Sequence, residues 1–154
     1  MPDQPTGHIA DGLHILPLRI FYEDTDMSGV VYHANYLRYM ERGRSDFLRM
    51  IGVSHKELLA RPDPISWVVI HIDVRFVKPA RIEDAIDVHT RYAALRGARL
   101  HIDQEVVRGG EVLVRARVTA ACVRPDGRAA RMPRDMLAKL APYLGSAEAA
   151  RARP

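Results

Sequence analysis

The chain has 154 residues, 47% of them hydrophobic and 27% charged, and carries a formal net charge of +4. This length and composition predict one folded domain and exclude disorder as the main state, while a charge of +4 suits an anionic small molecule as well as nucleic acid. The single cysteine, Cys122, excludes an internal disulfide and a cysteine-rich zinc module.

The two ends of the chain differ in composition from its middle. Residues 1–12 are polar and contain two prolines, which predicts a flexible N-terminal segment. No basic region precedes an apolar run there, so no signal peptide is expected. No stretch reaches the ~20 apolar residues that span a bilayer, and we therefore expect a cytoplasmic protein. The folded domain is expected over 13–144, followed by an Ala/Arg-rich tail over 145–154.

The first half of the domain predicts one strand and one long helix. Alternating apolar residues predict a strand from about Leu13 to Tyr22. Pro17 has no N–H to donate and so favours a sheet edge or a strand start. Apolar residues spaced by three and four predict a helix from Tyr32 or Asn35 to Ile51. Gly43 on its apolar stripe indicates close approach to a sheet, and Gly52 is a plausible helix stop.

The second half of the domain changes to a period of two. It predicts four strands over about 68–76, 86–92, 100–106 and 112–122, with Gly109-Gly110 as a hairpin turn, and a short helix from about Pro133 to Leu140. One long helix and five strands predict an α+β fold in which a curved antiparallel sheet wraps around one central helix. The outer sheet face mixes charged residues with Val and Leu, which indicates that another subunit covers part of it.

The segment from Tyr22 to Tyr36 carries the most unusual chemistry. It places Asp24 and Asp26 just before the long helix, whose N-terminus has unpaired N–H groups and a positive dipole end able to polarise a carbonyl. Gly29 permits a substrate to approach the backbone closely. A carboxylate beside a polarised carbonyl is the minimum for attack on an acyl group. The same residues also fit helix capping or, less well because no third acid follows, a Mg²⁺ site.

This segment resembles the signature of hotdog-fold thioesterases of the 4-hydroxybenzoyl-CoA thioesterase type, in particular the Tol-Pal-associated acyl-CoA thioesterase branch. The matching residues are Tyr22–Asp26, Gly29–His33, Tyr36, Glu41-Arg42, Phe76–Arg81 and Leu95–Gly97. The resemblance extends from about Leu16 to Leu140. It implies an enzyme that hydrolyses acyl-CoA or acyl-carrier-protein thioesters to a free acid and a thiol, with no cofactor or metal. It also implies a homo-oligomer, either a dimer or a tetramer.

The resemblance assigns roles to individual residues. Asp26 matches the catalytic carboxylate, acting as nucleophile or general base, and Asp24 is expected to shape the loop. His33 matches a histidine whose side chain contacts the thioester, and N–H groups from Val31 to His33 would polarise its carbonyl. Tyr22 and Glu41 would line the acyl pocket, and Arg96 would lie near the nucleotide end of CoA. The substrate-binding candidates are thus Tyr22, Gly29, Val31, Tyr32, Glu41 and Arg96.

Other functions remain open at this point. The alternative is a non-catalytic acyl-CoA- or nucleic-acid-binding module of the same fold. The aspartates would repel phosphate, so no nucleic-acid partner is expected. His71, His89 and His101 lie opposite the apolar faces of their strands, where lone histidines are usually structural, so no metal site is predicted. Cys122 lies on the apolar face of a strand and is expected to pack rather than to react.

Overall fold

A computed structural model of the chain describes residues 7–145. Its elements are strands β1 (His8–Ala10) and β2 (Leu13–Arg19), helices α1 (His33–Met50) and α2 (His55–Leu59), strands β3 (Ser66–Phe76), β4 (Ala85–Arg96), β5 (Arg99–Arg108) and β6 (Glu111–Val123), and helix α3 (Arg134–Leu140). The strands of this part of the chain form one antiparallel sheet in the order β1-β2-β4-β5-β6-β3. The predicted α+β class is confirmed. No helix within residues 7–145 is long and apolar enough to cross a membrane.

Strand β1 corrects the prediction that residues 1–12 are flexible throughout. His8 pairs with Ile15 of β2 in antiparallel register, and the Gly7 N–H donates to the Asp46 carboxylate at 3.0 Å. These backbone bonds order a segment whose side chains give no strand pattern. Residues 1–6 and 146–154 lie outside the described residues, so the predictions for them stay predictions.

Strand β2 ends at Arg19 rather than at Tyr22, because the chain then forms a short 3₁₀ turn over Tyr22–Asp24. Pairing with β1 reaches only as far as Ile15. Pro17 therefore lies where that side of β2 has no neighbouring strand, and its missing N–H costs no bond to β1. The edge position predicted for Pro17 is confirmed.

The chain forms two compact units, of which the first comprises residues 7–47, 74–90 and 104–116. In this unit α1 packs closely on the sheet at Gly43. A Cβ atom built at Gly43 would lie 2.7 Å from Thr90 Oγ1 and 3.0 Å from Val88 Cγ1. Only glycine permits this approach, so the close contact predicted for Gly43 is confirmed.

The second unit comprises residues 48–73, 91–103 and 117–145. Gly52 follows α1 with φ +88°, the left-handed stop that the sequence predicts. Lys139 donates to the Gly52 carbonyl at 2.9 Å, and Arg61 donates two hydrogen bonds of 3.0 Å to Asp135. Cys122 is fully buried, and this burial raises the pKa of its thiol, in keeping with a packing role.

Strand β3 is more exposed than its pattern predicts. Val68, Ile70 and Phe76 were expected on a core face, yet their exposed fractions are 40%, 47% and 50%. The strand lies at one end of the strand order, next to β6 alone. An edge strand has one neighbour instead of two, so its side chains are covered less completely.

Candidate active site

Asp26 lies in a tight turn over residues 26–30, here called the Asp26 turn. Its N–H donates to the Val30 carbonyl at 3.0 Å, and its carbonyl accepts the Gly29 N–H at 3.1 Å. Its exposed carboxylate accepts the Ser28 N–H at 2.8 Å and also the Ser28 hydroxyl. These two bonds lower the pKa of the Asp26 carboxyl. The carboxylate is therefore ionised near neutral pH, the form that attacks a carbonyl or accepts a proton.

The side chains of the two aspartates do not cap α1. The Asp26 carboxylate bonds to Ser28, within its own turn. The Asp24 carboxylate accepts the Phe21 N–H at 2.7 Å and so caps the short 3₁₀ turn, while the Asp24 carbonyl accepts the Tyr32 N–H at 2.9 Å. Asp24 thus shapes the loop, and the helix-capping interpretation of Asp26 is wrong.

The start of α1 offers fewer free N–H groups than predicted. The Val31 N–H donates to the Ala80 carbonyl and the Tyr32 N–H to the Asp24 carbonyl, both at 2.9 Å. The prediction that these two groups polarise a substrate carbonyl is wrong, because each already has an acceptor. His33 is the first residue of α1, and its N–H bonds to no other residue within the described part of the chain. His33 is therefore the residue of the predicted three whose N–H is available to a ligand.

The His33 ring lies among aromatic rings. Its centroid is 4.7 Å from that of Tyr32 and 6.1 Å from that of Phe76, which meets it nearly edge-on. After Ser28, the charge of His33 also contributes to lowering the pKa of Asp26. Asp26 and His33 are thus within electrostatic range of each other. The sequence pattern missed Phe76 as a site residue because its alternation placed this ring on a core face, although the family resemblance included it.

The remaining candidates of the first unit differ in what surrounds them. Gly29 has φ +81°, and a Cβ atom built there would have no atom within 4 Å, so a ligand can approach its backbone. Tyr22 is exposed, and Glu41 is exposed on α1, where its carboxylate accepts the Ser45 hydroxyl at 2.6 Å. The role of Tyr22 and Glu41 in an acyl pocket stays a prediction.

Exposed apolar side chains are frequent between residues 21 and 37. This set consists of Phe21, Tyr22, Met27, Tyr32 and Leu37. Large apolar side chains that cluster on a surface around polar groups are typical of binding sites and of interfaces. This segment therefore combines an ionised carboxylate, a free helix N-terminal N–H and apolar surface.

Arg96 belongs to the second unit, at the end of β4. There it lines a cavity of about 300 Å³. The other charged or polar residues of this cavity are His71, Asp73, His101, Asp103, Arg117 and Thr119. Burial, and then the positive charges of Arg96 and Arg99, lower the pKa of His101. Within residues 7–145, no three or more His, Cys, Asp or Glu side chains are grouped so that they could hold a metal ion.

Comparisons with known proteins agree on one family. The model of the thioesterase-like superfamily matches residues 22–140. Over 110 residues the chain is 37% identical to the acyl-CoA thioester hydrolase YbgC of Escherichia coli, a match that covers 71% of this chain and 81% of that protein. In structure it is similar to a probable thioesterase from Bartonella henselae, with a TM-score of 0.76 and 38% identity, covering 79% of this chain and 99% of that one.

A more distant solved structure supports the fold alone. The 1,4-dihydroxy-2-naphthoyl-CoA thioesterase from Synechocystis matches with a TM-score of 0.77 at 20% identity, covering 84% of this chain and 96% of that one. With the strand order and the single long helix described above, these matches confirm the predicted hotdog fold.

Proposed function

The chain belongs to the thioesterase-like superfamily and is a thioesterase, and from that premise we propose that it hydrolyses acyl-CoA thioesters with Asp26 as the catalytic carboxylate. One observation carries the proposal. An exposed, ionised carboxylate and the free N–H at the start of α1 belong to one short segment, in which Gly29 leaves the backbone open. Thioester hydrolysis requires a group that attacks, or activates water to attack, and a donor for the oxyanion that forms.

The His33 N–H supplies the second requirement. It donates to the carbonyl oxygen of the thioester as negative charge develops there, and the positive end of the α1 dipole strengthens this interaction. Asp26 then acts by one of two routes. It either attacks the carbonyl carbon to form an anhydride that water hydrolyses, or it removes a proton from an attacking water. Both routes consume one water and yield the free acid and the thiol of CoA.

The acyl group needs apolar contacts, and the CoA phosphates need cations. We assign the acyl contacts to Tyr22, Tyr32 and Glu41, because Tyr22 and Tyr32 belong to the exposed apolar set and Glu41 lies on α1. Arg96 is assigned to the CoA phosphates, since a guanidinium suits a phosphate well. An acyl carrier protein, which presents the same thioester, is the second donor in this proposal.

We further propose a homo-oligomer, either a dimer or a tetramer, located in the cytoplasm and associated with the Tol-Pal system as the YbgC-like branch is. An exposed apolar row on the edge strand β3 supports the assembly. Val68, Val69 and Ile70 have exposed fractions of 40%, 49% and 47%, and an uncovered edge strand is a ready partner for another strand. Sedimentation of a monomer that is active at the assay concentration would contradict this assembly.

The proposed chemistry is tested by two matched variants, Asp26→Asn and Asp24→Asn. In each variant the introduced amide keeps an acceptor oxygen, for Ser28 in the first and for the Phe21 N–H in the second, so both folds should persist. We expect Asp26→Asn to lower kcat by about 10²–10⁴-fold, and Asp24→Asn to change it far less. The measurement is release of the CoA thiol from aliphatic and aromatic acyl-CoA substrates.

Two results would overturn the proposal. One is wild-type turnover by Asp26→Asn. The other is the absence of thiol release by the wild-type chain from every acyl-CoA, which would favour the non-catalytic binding module. A third variant, His33→Ala, keeps the backbone N–H while removing the ring. It should therefore lose less activity than Asp26→Asn.

A further inference from the structure

Residues 79–84 of the first unit, here called the 79–84 segment, pair with the chain that follows Asp26. Val30 forms an antiparallel bridge with Arg81. The Val31 N–H donates to the Ala80 carbonyl at 2.9 Å. The backbone that leads from the Asp26 turn to the start of α1 is therefore attached to this segment on one side.

The hydroxyl of Tyr36 holds the middle of the 79–84 segment. It accepts the Ala80 N–H at 2.9 Å, and both residues are buried. Ala80 thus links two bonds, because its N–H donates to Tyr36 of α1 and its carbonyl accepts from Val31. Burial raises the pKa of the Tyr36 hydroxyl, which stays protonated and neutral. Without this hydroxyl, a buried N–H would lose its acceptor, which the backbone corrects by shifting.

The guanidinium of Arg108 holds both ends of the 79–84 segment. Its Nη1 donates to the Pro79 carbonyl at 3.2 Å and to Asp84 Oδ2 at 2.8 Å. Its Nη2 donates to Glu111 Oε1 at 2.9 Å, which fixes the plane of the guanidinium. Asp84 Oδ2 also accepts the Arg81 N–H at 2.8 Å. One side chain on β5 thus ties Pro79, Arg81 and Asp84 together.

We propose that Tyr36 and Arg108 are positioning residues of the thioesterase: they fix the 79–84 segment, which in turn fixes the Asp26 carboxylate relative to the His33 N–H. This inference rests on the proposed role of Asp26. Neither side chain needs to touch the substrate. Small displacements of a reacting group slow the chemical step more than they weaken binding, so loss of either residue should act on kcat more than on KM.

The first test compares Tyr36→Phe with Tyr39→Phe. Both remove one hydroxyl from a buried tyrosine of α1, but Tyr39 takes no part in the bonds that hold the 79–84 segment. We expect Tyr36→Phe to lower kcat about tenfold, the loss that one misplaced hydrogen bond produces, with KM nearly unchanged. Tyr39→Phe should stay close to the wild type. Equal kcat values for the two variants would overturn the proposal.

The second test compares Arg108→Gln with Arg61→Gln. The two arginines are matched, since their side chains are 33% and 34% exposed and each bonds to a carboxylate. Arg61 pairs with Asp135 in the second unit and has no link to the 79–84 segment. We expect only Arg108→Gln to lower kcat, and Arg108→Lys to recover part of the loss by reaching Asp84 alone. Equal kcat values for Arg108→Gln and Arg61→Gln would contradict the role of Arg108.

A double variant separates positioning from a general structural effect. If Tyr36 acts through Asp26, the pair Asp26→Asn and Tyr36→Phe should have the same residual rate as Asp26→Asn alone. Losses that multiply would overturn the proposal. Asp26→Asn measured by itself tests the proposed function. An inactive Asp26→Asn with a fully active Tyr36→Phe would therefore reject the positioning role and leave the proposed function standing.

Discussion

Two groups of polar residues in the first unit differ in how completely they are bonded. The first lies under α1 beside Gly43 and is called here the Gln104 cluster (Gln104, Thr90 and Arg44). The Gln104 amide is buried, and its Nε2 donates to the Met40 carbonyl and to Thr90 Oγ1, both at 2.8 Å. Its Oε1 accepts from Arg44 Nη1 at 2.9 Å. Both donors and the acceptor of the amide are used, so the cluster has nothing left to offer a ligand.

The Asp26 turn shows the opposite arrangement. Its carboxylate is exposed and bonds only to Ser28 among the described residues, and the nearby His33 N–H has no acceptor there. Buried polar groups are almost always satisfied because an unpaired one costs stability, whereas an exposed group is free to exchange water for a substrate. Polar residues alone therefore do not mark a site. Unused bonding capacity at an exposed, anchored position does.

Removal of the Gln104 amide should break the structural side of this comparison most strongly. Gln104→Leu leaves Arg44 and Thr90 without their partner, so we expect a loss of about 2 kcal/mol in the free energy of unfolding. That corresponds to an unfolding midpoint lower by about 5 °C, measured by circular dichroism. The kcat at 25 °C should stay near that of the wild type. A large loss of kcat with an unchanged midpoint would show that the cluster is not merely structural.

A methyl group at Gly29 should sharpen the functional side. Gly29 and Gly110 have φ values of +81° and +82°, and a Cβ atom at either would have no atom within 4 Å. Alanine at either position should therefore cost about 1 kcal/mol of backbone strain. We expect only Gly29→Ala to raise KM as well, because only there does substrate approach the backbone. Equal KM values for the two variants would remove Gly29 from the binding site.

The smallest expected effect concerns pH and a second buried pair. His14 is fully buried, and its Nε2 lies 2.7 Å from Asp46 Oδ2. Burial lowers the pKa of His14, although Asp46 opposes the shift and His8 adds to it. The unfolded chain then binds a proton near pH 6.5 more readily than the folded chain does.

Stability should therefore decrease as the pH falls from about 7 to about 5. The lowered pKa of Asp26 acts only below its usual value of about 4, outside this window. Denaturant unfolding at several pH values measures the dependence. His14→Gln should flatten it by less than about 1 kcal/mol, and an identical pH dependence in wild type and variant would contradict this assignment.

Local patterns predicted most of the fold. The extent of α1, the stop at Gly52 and the close approach at Gly43 all follow from residues within a few turns of one helix. Strand β1 was missed because it has three residues and is ordered by backbone pairing rather than by side chains. The exposure of β3 was missed because it depends on strand order, which alternation along one strand does not reveal.

The site divides in the same way. Asp26, Gly29 and His33 lie within eight consecutive residues, so one stretch of sequence displays them together. The acceptor that occupies the Val31 N–H comes from Ala80, far along the chain. Arg108, which holds the 79–84 segment, lies in yet another strand. Such partners become visible only when the chain is folded.

The most direct measurement compares kcat and the unfolding midpoint in the same preparations of wild type, Asp26→Asn and Gln104→Leu, with saturating acyl-CoA as substrate. We predict that Asp26→Asn loses about 10²–10⁴-fold in kcat at an unchanged midpoint, while Gln104→Leu keeps its kcat and loses stability. Turnover by Asp26→Asn at the wild-type rate would contradict the assignment of the chemistry to the Asp26 turn.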